Sequence, residues 1–379
     1  MEAGVDLESG EKERLMVRRH PLGALLTATV VLLAAHGASA AAVTGPSLAA
    51  KPDAWFQDDE ARTLLANVLS YQTPAGGWCK AYDASRPRDP AAGKAGYGGW
   101  DGFPTIDNGA TYTEVRLLAR AFARTGRTEY RDAAARGVDF LLARQYANGG
   151  WPQRSPLDGD AGYGTRITFN DGAMVEVMRL VGDAAAGRGD LTFVDDTRRA
   201  KAAAAFARGV ACILDCQVRV NGVPTAWCQQ HDEKTLAPAG ARAYELPSLS
   251  GAESAGILKL LMSIGKPDDG VRRAVNAGCA WFERAKVTGK RVAVVDAPGS
   301  PKGKDKVVVD DPAAPPLWAR FYEVETNRPF FCSRDGVKRY DLAEISHERR
   351  NGYAWYGGWG SDVLKAYPKW KARHEPAAK

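Results

Sequence analysis

The chain has 379 residues, with 51 lysines and arginines against 45 aspartates and glutamates. That length allows one large domain with a substantial core. The net charge of +6 comes without any Lys/Arg block, so it does not call for nucleic acid and suits a polyanionic substrate equally well.

Residues 1–40 read as a signal peptide. Arg14, Arg18 and Arg19 make a basic flank, Leu22 to Ala35 a short apolar core, and Ala38-Ser39-Ala40 a cleavage signal. The core is too short for a comfortable membrane span. Export is therefore expected, to the periplasm or outside the cell, with no membrane association after cleavage. An amino-terminal anchor that is never cut is the alternative. Residues 41–53, rich in Ala, Pro and Ser, are expected to be flexible.

From Asp58 the pattern is helical. Ala61, Leu64, Leu65, Val68 and Leu69 keep a spacing of three and four. The run stops at Pro74-Ala75-Gly76-Gly77, and a Gly/Pro/Asp loop follows from Asp83 to Phe103. Further helices are predicted from near Gly109, and then over Asp132–Tyr146, Gly172–Val181, Arg198–Gln217, Glu253–Ile264, Gly270–Ala285 and, more weakly, Asp362–Ala372. Residues 289–315 break the pattern. Val292–Val295 and Val307–Val309 read as a short hairpin in a loop excursion. The last third is aromatic.

Two signatures repeat along this series. Gln72-Thr-Pro-Ala-Gly-Gly-Trp78 recurs as Gln145-Tyr-Ala-Asn-Gly-Gly-Trp151. A worn copy follows from Gln217 to Gly222, with its aromatic residue displaced to Trp227. The second signature is Asp107-Asn108-Gly109-Ala110, Asn170-Asp171-Gly172-Ala173 and Ser250-Gly251-Ala252. A fixed period of about 72 residues marks a repeated supersecondary unit. One helix of each pair starts at the second signature, and the other ends at the first. The expected class is all-α: an α/α toroid, an incomplete barrel of helical hairpins whose long loops form a substrate groove. Three pairs are too few for an open capped array.

The six cysteines are Cys79, Cys212, Cys216, Cys228, Cys279 and Cys332. An even number permits disulfides in an exported protein. Cys212 and Cys216 share a helix face but are badly placed to bridge. There is no C-x-x-C pair, which argues against zinc. Buried free thiols are expected for most of them.

Candidate chemistry begins with Asp107, Asn108, Asn170 and Asp171. Each pair precedes a helix, so N-capping is the plain reading. Two adjacent polar residues in each of two repeats exceed what capping needs, and hard oxygen donors brought together this way suit Ca²⁺. Arg166, Arg242, Arg320, Arg328 and Arg334 lie in loop-like stretches beside Tyr244, Trp318, Tyr322 and Phe331. Forked guanidinium groups receive carboxylates, and aromatic rings stack on sugar faces, although core packing accounts equally well for about half of those rings. Glu245 and Glu253 leave open a paired-carboxylate glycosidase. His231 and His347 are isolated and read as structural. Gly-x-Ser-x-Gly, His-Glu-x-x-His and phosphate-cradling motifs are absent from the sequence.

Several longer motifs resemble those of polysaccharide lyase family 10 pectate lyases. They are Thr105-Ile-Asp-Asn-Gly-Ala-Thr111, Thr168-Phe-Asn-Asp-Gly172, Arg242-Ala-Tyr-Glu-Leu-Pro-Ser-Leu-Ser250, Trp318-Ala-Arg-Phe-Tyr-Glu323, Asn327-Arg-Pro-Phe-Phe-Cys-Ser-Arg-Asp335 and Glu348-Arg-Arg-Asn-Gly-Tyr-Ala-Trp355. The resemblance spans Trp55 to Tyr367. It implies a catalytic domain over 54–370, a flexible tail over 371–379, and Ca²⁺-assisted β-elimination on polygalacturonate. By the same resemblance Asp107, Asn108 and Asp171 would hold calcium, and Arg242 would be the Brønsted base. Arg320 and Arg334 would bind substrate carboxylates. From their own setting among loop arginines and aromatics, Arg166 and Tyr322 are expected as further substrate contacts. A monomer acting on pectate, with no nucleic-acid or membrane partner, is expected. Two alternatives are a non-catalytic pectin-binding toroid and a terpenoid-cyclase-like toroid, since the Gln-x3-Gly-Gly-Trp turn resembles the turns of those enzymes. The second predicts an Asp-rich motif in an apolar cavity, and no Asp-x-Asp-Asp occurs here.

Overall fold

The computed structural model describes residues 42–99, 102–154 and 162–375. The expected signal peptide lies outside the described residues. The unit from Ala42 onward is the body described here.

Its helices are α1 (Gly45–Ala49), α2 (Asp59–Ser70), α3 (Tyr112–Thr125), α4 (Thr128–Ala143), α5 (Ala173–Ala186), α6 (Asp196–Asp215), α7 (Gly251–Met262), α8 (Asp269–Arg284), α9 (His347–Gly352) and α10 (Trp359–His374). They pack as hairpins α3–α4, α5–α6 and α7–α8, with α10 against α7 and α8. First members touch along the row α3–α5–α7, and second members along α4–α6–α8. α8 illustrates the cause. Asp268 caps its start through the Val271 N–H at 2.8 Å, and Val271, Ala274, Val275, Gly278, Cys279 and Phe282 form its buried stripe.

The Gln-x3-Gly-Gly-Trp turn is a clamp between neighbouring hairpins. Gln72 Nε2 donates to Gly76 O and Ala133 O at 2.7 and 2.9 Å. Gln145 does the same to Gly149 O and Ala205 O, and Gln217 to Thr225 O and Ala274 O. The indole N–H groups of Trp78, Trp151 and Trp227 close back onto Val68 O, Leu141 O and Ile213 O. Each ring then lies against a helix glycine. A Cβ at Gly137, Gly209 or Gly278 would sit 3.1–3.2 Å from the ring of Trp78, Trp151 or Trp227 respectively. The worn third copy therefore keeps the full geometry, because Trp227 reaches the same place through a short β-turn excursion.

The all-α expectation is wrong. The fold is mixed α/β, because short antiparallel strands occupy what read as loops. They are β1 (Ile167–Thr168), β2 (Arg219–Val220), β3 (Val223–Pro224), β4 (Gln230–His231), β5 (Leu249–Ser250), β6 (Lys290–Asp296), β7 (Lys304–Asp310), β8 (Trp318–Ala319), β9 (Phe321–Tyr322), β10 (Pro329–Cys332), β11 (Lys338–Arg339) and β12 (Tyr356–Gly357). β11-β10-β9-β5 is a four-stranded sheet; β1-β4, β2-β3, β6-β7 and β12-β8 are pairs. The aromatic last third makes most of these strands. Phe321, Phe330, Phe331 and Trp355 bury on one another with Tyr244, Leu342 and Ile345 as a second core beside the helical one. Strands of two residues are too short to show a period in the sequence.

Other boundaries shift. The stretch expected to be loose, 41–53, holds α1, and Leu48 is buried in the main core. α10 runs to His374, past the expected start of the flexible tail. The valine hairpin is longer than expected: β6 and β7 pair from Lys290↔Asp310 to Asp296↔Lys304. All six cysteines are buried and free. No described helix is long and apolar enough to cross a membrane.

Candidate active site

The second signature gives two matching loops. Residues 107–109 and 170–172 each form a 3-10 turn with a left-handed middle residue, Asn108 (φ 51°) in one and Asp171 (φ 51°) in the other. Asp107 is thus the counterpart of Asn170, and Asn108 of Asp171. Acid and amide trade places between repeats. Asp107 and Asn170 are buried; Asn108 and Asp171 face outward. Neither turn caps its helix. The residues at the N-caps of α3 and α5 are Thr111 and Gly172, with no side-chain cap, so the N-capping reading fails. The polar pairs are free for another use.

They line one cleft. Asp107, Asn108, Asn170 and Asp171 share it with Arg242 and Glu245. Residues far apart in the chain meet there because β1 pairs with β4, Thr168 opposite Gln230, and the Phe169 N–H donates to Gln229 O at 2.8 Å. Bridges Thr105↔Arg154 and Pro152↔Ile167 bring the first loop alongside.

Each acid has a resident cation. Lys80 Nζ is 2.6 Å from Asp107 Oδ2. Arg320 Nη2 reaches Asp171 Oδ1 at 3.0 Å, Asn170 Oδ1 at 3.1 Å and Glu253 Oε1 at 2.6 Å. Arg320 lies between β8 and β9. Its backbone is fixed on both sides, with Gly251 N donating to its carbonyl and its own N–H donating to Trp355 O. Its guanidinium is buried, 4.5 Å from the centre of the Tyr353 ring.

Arg242 is clamped by Glu245. Arg242 Nε donates to Oε2 at 2.7 Å, and Nη2 donates to Oε1. Glu245 is buried and also accepts from the Tyr353 hydroxyl at 3.0 Å. Burial alone would lower the Arg242 pKa, but the Glu245 carboxylate outweighs it and holds the guanidinium above its ordinary value. The Tyr244 ring gathers Arg242, Arg334 and Arg349 at 5.0, 5.6 and 4.5 Å. Arg334 is exposed and pairs with Glu348 at 3.0 Å. Arg349 and Arg334 together pull the Glu348 pKa down to about 2.

The remaining expected residues lie elsewhere. Arg166 sits 3.7 Å from Asp232 and does not line the cleft. Tyr322 is a core residue, 1% exposed. Its hydroxyl donates to Ala285 O and accepts from Ala319 N, both at 2.8 Å, so it offers no face to a sugar. Arg328 stacks on Tyr340 at 3.5 Å. His231 is buried between Leu236 O and Cys228 N, with its pKa lowered to about 4 by burial. Glu245 and Glu253 are both buried and engaged by arginines, which leaves no solvated acid–base pair for a glycosidase.

Sequence reasoning missed Lys80 and Gln153, which line the same cleft. A signal was present. Trp78-Cys-Lys80, Trp151-Pro-Gln153 and Trp227-Cys-Gln229 place a polar residue two positions after each repeat tryptophan.

Among the described residues no group of three or more His, Cys, Asp or Glu is placed to hold a metal. The donor chemistry nonetheless fits a hard cation. Two carboxylates and the Asn108 amide come from two loops, and the cleft residues Gln153 and Gln230 have buried amide oxygens with no partner.

A protein-family model described as pectic acid lyase matches residues 72–364. Among solved structures, the chain is similar to a family 10 polysaccharide lyase from Cellvibrio cellulosa. Identity is 35% over 84% of this chain and 94% of that one, with a TM-score of 0.70. An aspartate-to-alanine mutant of the Cellvibrio cellulosa family 10 enzyme, in complex with trigalacturonic acid, matches with the same identity and TM-score over 86% of this chain and 99% of its own. No curated protein matches. A family match over most of the chain and a structural match of this depth converge on one class of enzyme, and the chain belongs to the pectic acid lyase family: it is a pectate lyase.

Proposed function

We propose that this enzyme cleaves polygalacturonate by Ca²⁺-assisted β-elimination, giving 4,5-unsaturated oligogalacturonates, as an exported monomer. The observation that carries this reading is the meeting of Asp107, Asn108, Asp171 and Arg242 around one cleft. The structural relative bound to trigalacturonic acid supports the substrate class. The A-x-A signal after a short apolar run supports export.

Asp107, Asn108 and Asp171 would hold Ca²⁺. When bound, the ion acts as a Lewis acid on the galacturonate carboxylate and makes the adjacent C5–H more acidic. The chain's own groups do the rest. Arg334 supplies positive charge for the substrate carboxylates, and Arg320, expected from the sequence to do the same, is buried between Glu253 and Asp171 and instead fixes Asp171. Arg242 takes the C5 proton; the C5–H electrons form the C4–C5 double bond, and O4 leaves with the departing chain and takes up a proton from solvent, to which Arg242 later returns its own. A guanidinium is ordinarily only a donor. Its proton-accepting form must be made against Glu245, and the arginines around Tyr244 supply the opposing positive charge.

The test is incubation with polygalacturonate, with and without a chelator, read by ultraviolet absorbance of the unsaturated uronate. Absorbance rises without chelator and stops with it. Reducing ends without the chromophore point to a hydrolase. No change in either condition points to a binding protein.

A further inference from the structure

Asp171 holds its place in a backbone conformation that few non-glycine residues adopt, with φ 51° and ψ 26°. Three buried groups hold it, the first being the Asn170 amide, whose Nδ2 donates to its Oδ2 at 3.0 Å. Its backbone N–H donates to Glu253 Oε1 at 3.3 Å, and its Oδ1 accepts from Arg320 Nη2 at 3.0 Å. Arg320 lies closer to Glu253, at 2.6 Å. Glu253 is held in turn by the Ser250 hydroxyl, which donates to its Oε2. The side chains of Arg320 and Glu253 are 8% and 2% exposed, whereas that of Asp171 is 45% exposed. One guanidinium thus stands between a buried carboxylate and a cleft-facing one.

We propose that Glu253 is a positioning residue that takes the charge of Arg320, leaving Asp171 available to a divalent cation in the cleft. The inference rests on the function proposed above. Two carboxylates around one guanidinium leave one negative charge, and the geometry directs it to the exposed member. Without Glu253, Arg320 becomes the private counter-ion of Asp171 and competes with any cation there. Glu253 belongs to the third repeat, three residues after Ser250, where the first two repeats carry Asp107 and Asp171 near the same helix end. The third unit therefore contributes a buried support where the other two contribute cleft-lining acids.

The test is calorimetric titration of the full chain with Ca²⁺ alone. Glu253→Gln weakens binding by about tenfold or more. The double variant Glu253→Gln/Arg320→Gln removes the competing charge and recovers affinity to within about threefold of wild type. A purely structural role for Glu253 would lower the melting temperature without that recovery. Should Glu253→Gln fail to fold with its unpaired buried arginine, the neutral double variant decides. Affinity near wild type supports the inference, and affinity weaker by about tenfold overturns it. A wild type that neither binds Ca²⁺ nor releases unsaturated product overturns the proposed function and this inference together. An active, Ca²⁺-binding wild type with an indifferent Glu253→Gln overturns the inference alone.

Discussion

The base role proposed for Arg242 sets two opposed demands. A proton acceptor must spend part of its time neutral, yet the bidentate Glu245 carboxylate favours the charged form. A lysine would keep the positive charge but lose the planar fork that holds Glu245 by one edge at the cleft wall. Arg242→Lys should therefore lower kcat by about a hundredfold or more, with calorimetric Ca²⁺ affinity unchanged. Near-full activity would end any special role for the arginine. The residues of this cleft were partly legible in the sequence. Asp107, Asn108 and Asp171 stood out because the repeat doubled them. Lys80 and Gln153 carried a weaker mark, a fixed offset from the repeat tryptophan. Tyr322 misled because an aromatic beside an arginine looks alike in a groove and in a core. Only tertiary packing, with its hydroxyl satisfied by Ala285 and Ala319, separates the two.

At the scale of elements, the glutamine clamp links each hairpin to the next. Gln145 satisfies two carbonyls on different segments, Gly149 O and Ala205 O, and its own Oε1 accepts from Arg208 at 2.6 Å. Truncation leaves those carbonyls short of a donor. Gln145→Ala should cost about 2–4 kcal/mol in urea unfolding, clearly more than loss of an exposed ion pair such as Lys259–Asp362. Gly209→Ala tests the same joint from the other side. Its Cβ would meet Met178 Sδ at 2.2 Å and the Trp151 ring at 3.1 Å, so overpacking of about 1–3 kcal/mol should outweigh the gain in helix propensity. The helices were legible because runs of 12 to 20 residues display a period of 3.6. The strands were not. β5, β8 and β9 have two residues each, and the β5–β9 and β8–β12 pairings join segments far apart in sequence. These same strands carry Arg320 and lead into Glu253, so the part of the fold hardest to read is the part that supports the site.

For the molecule as a whole, one buried acid outside the cleft sets a pH dependence. Glu114 of α3 is fully buried under α1, packed closely on Gly45: a Cβ there would lie 2.1 Å from Glu114 Oε1 and would have to displace the carboxyl. The Tyr82 hydroxyl donates to it at 2.9 Å, but burial prevails and pushes its pKa from 4.5 up to about 7. The folded chain thus keeps a proton that the unfolded chain releases between those values. The corresponding stability is full below about pH 4.5, falls as pH rises, and is lost above about pH 7, a change on the order of 3 kcal/mol. Glu114→Gln should flatten that slope in urea midpoints measured across this range. An unchanged slope would assign it to other groups.

The central claim is that the cleft breaks the glycosidic bond by elimination, with no water entering the product. Digestion of polygalacturonate in ¹⁸O-labelled water, followed by mass spectrometry of the oligomers from the first cleavages, reads this directly. The account predicts new non-reducing ends lighter by one water than hydrolysis would leave, with no ¹⁸O incorporated at the broken linkage. Saturated products carrying one ¹⁸O per cut would contradict it.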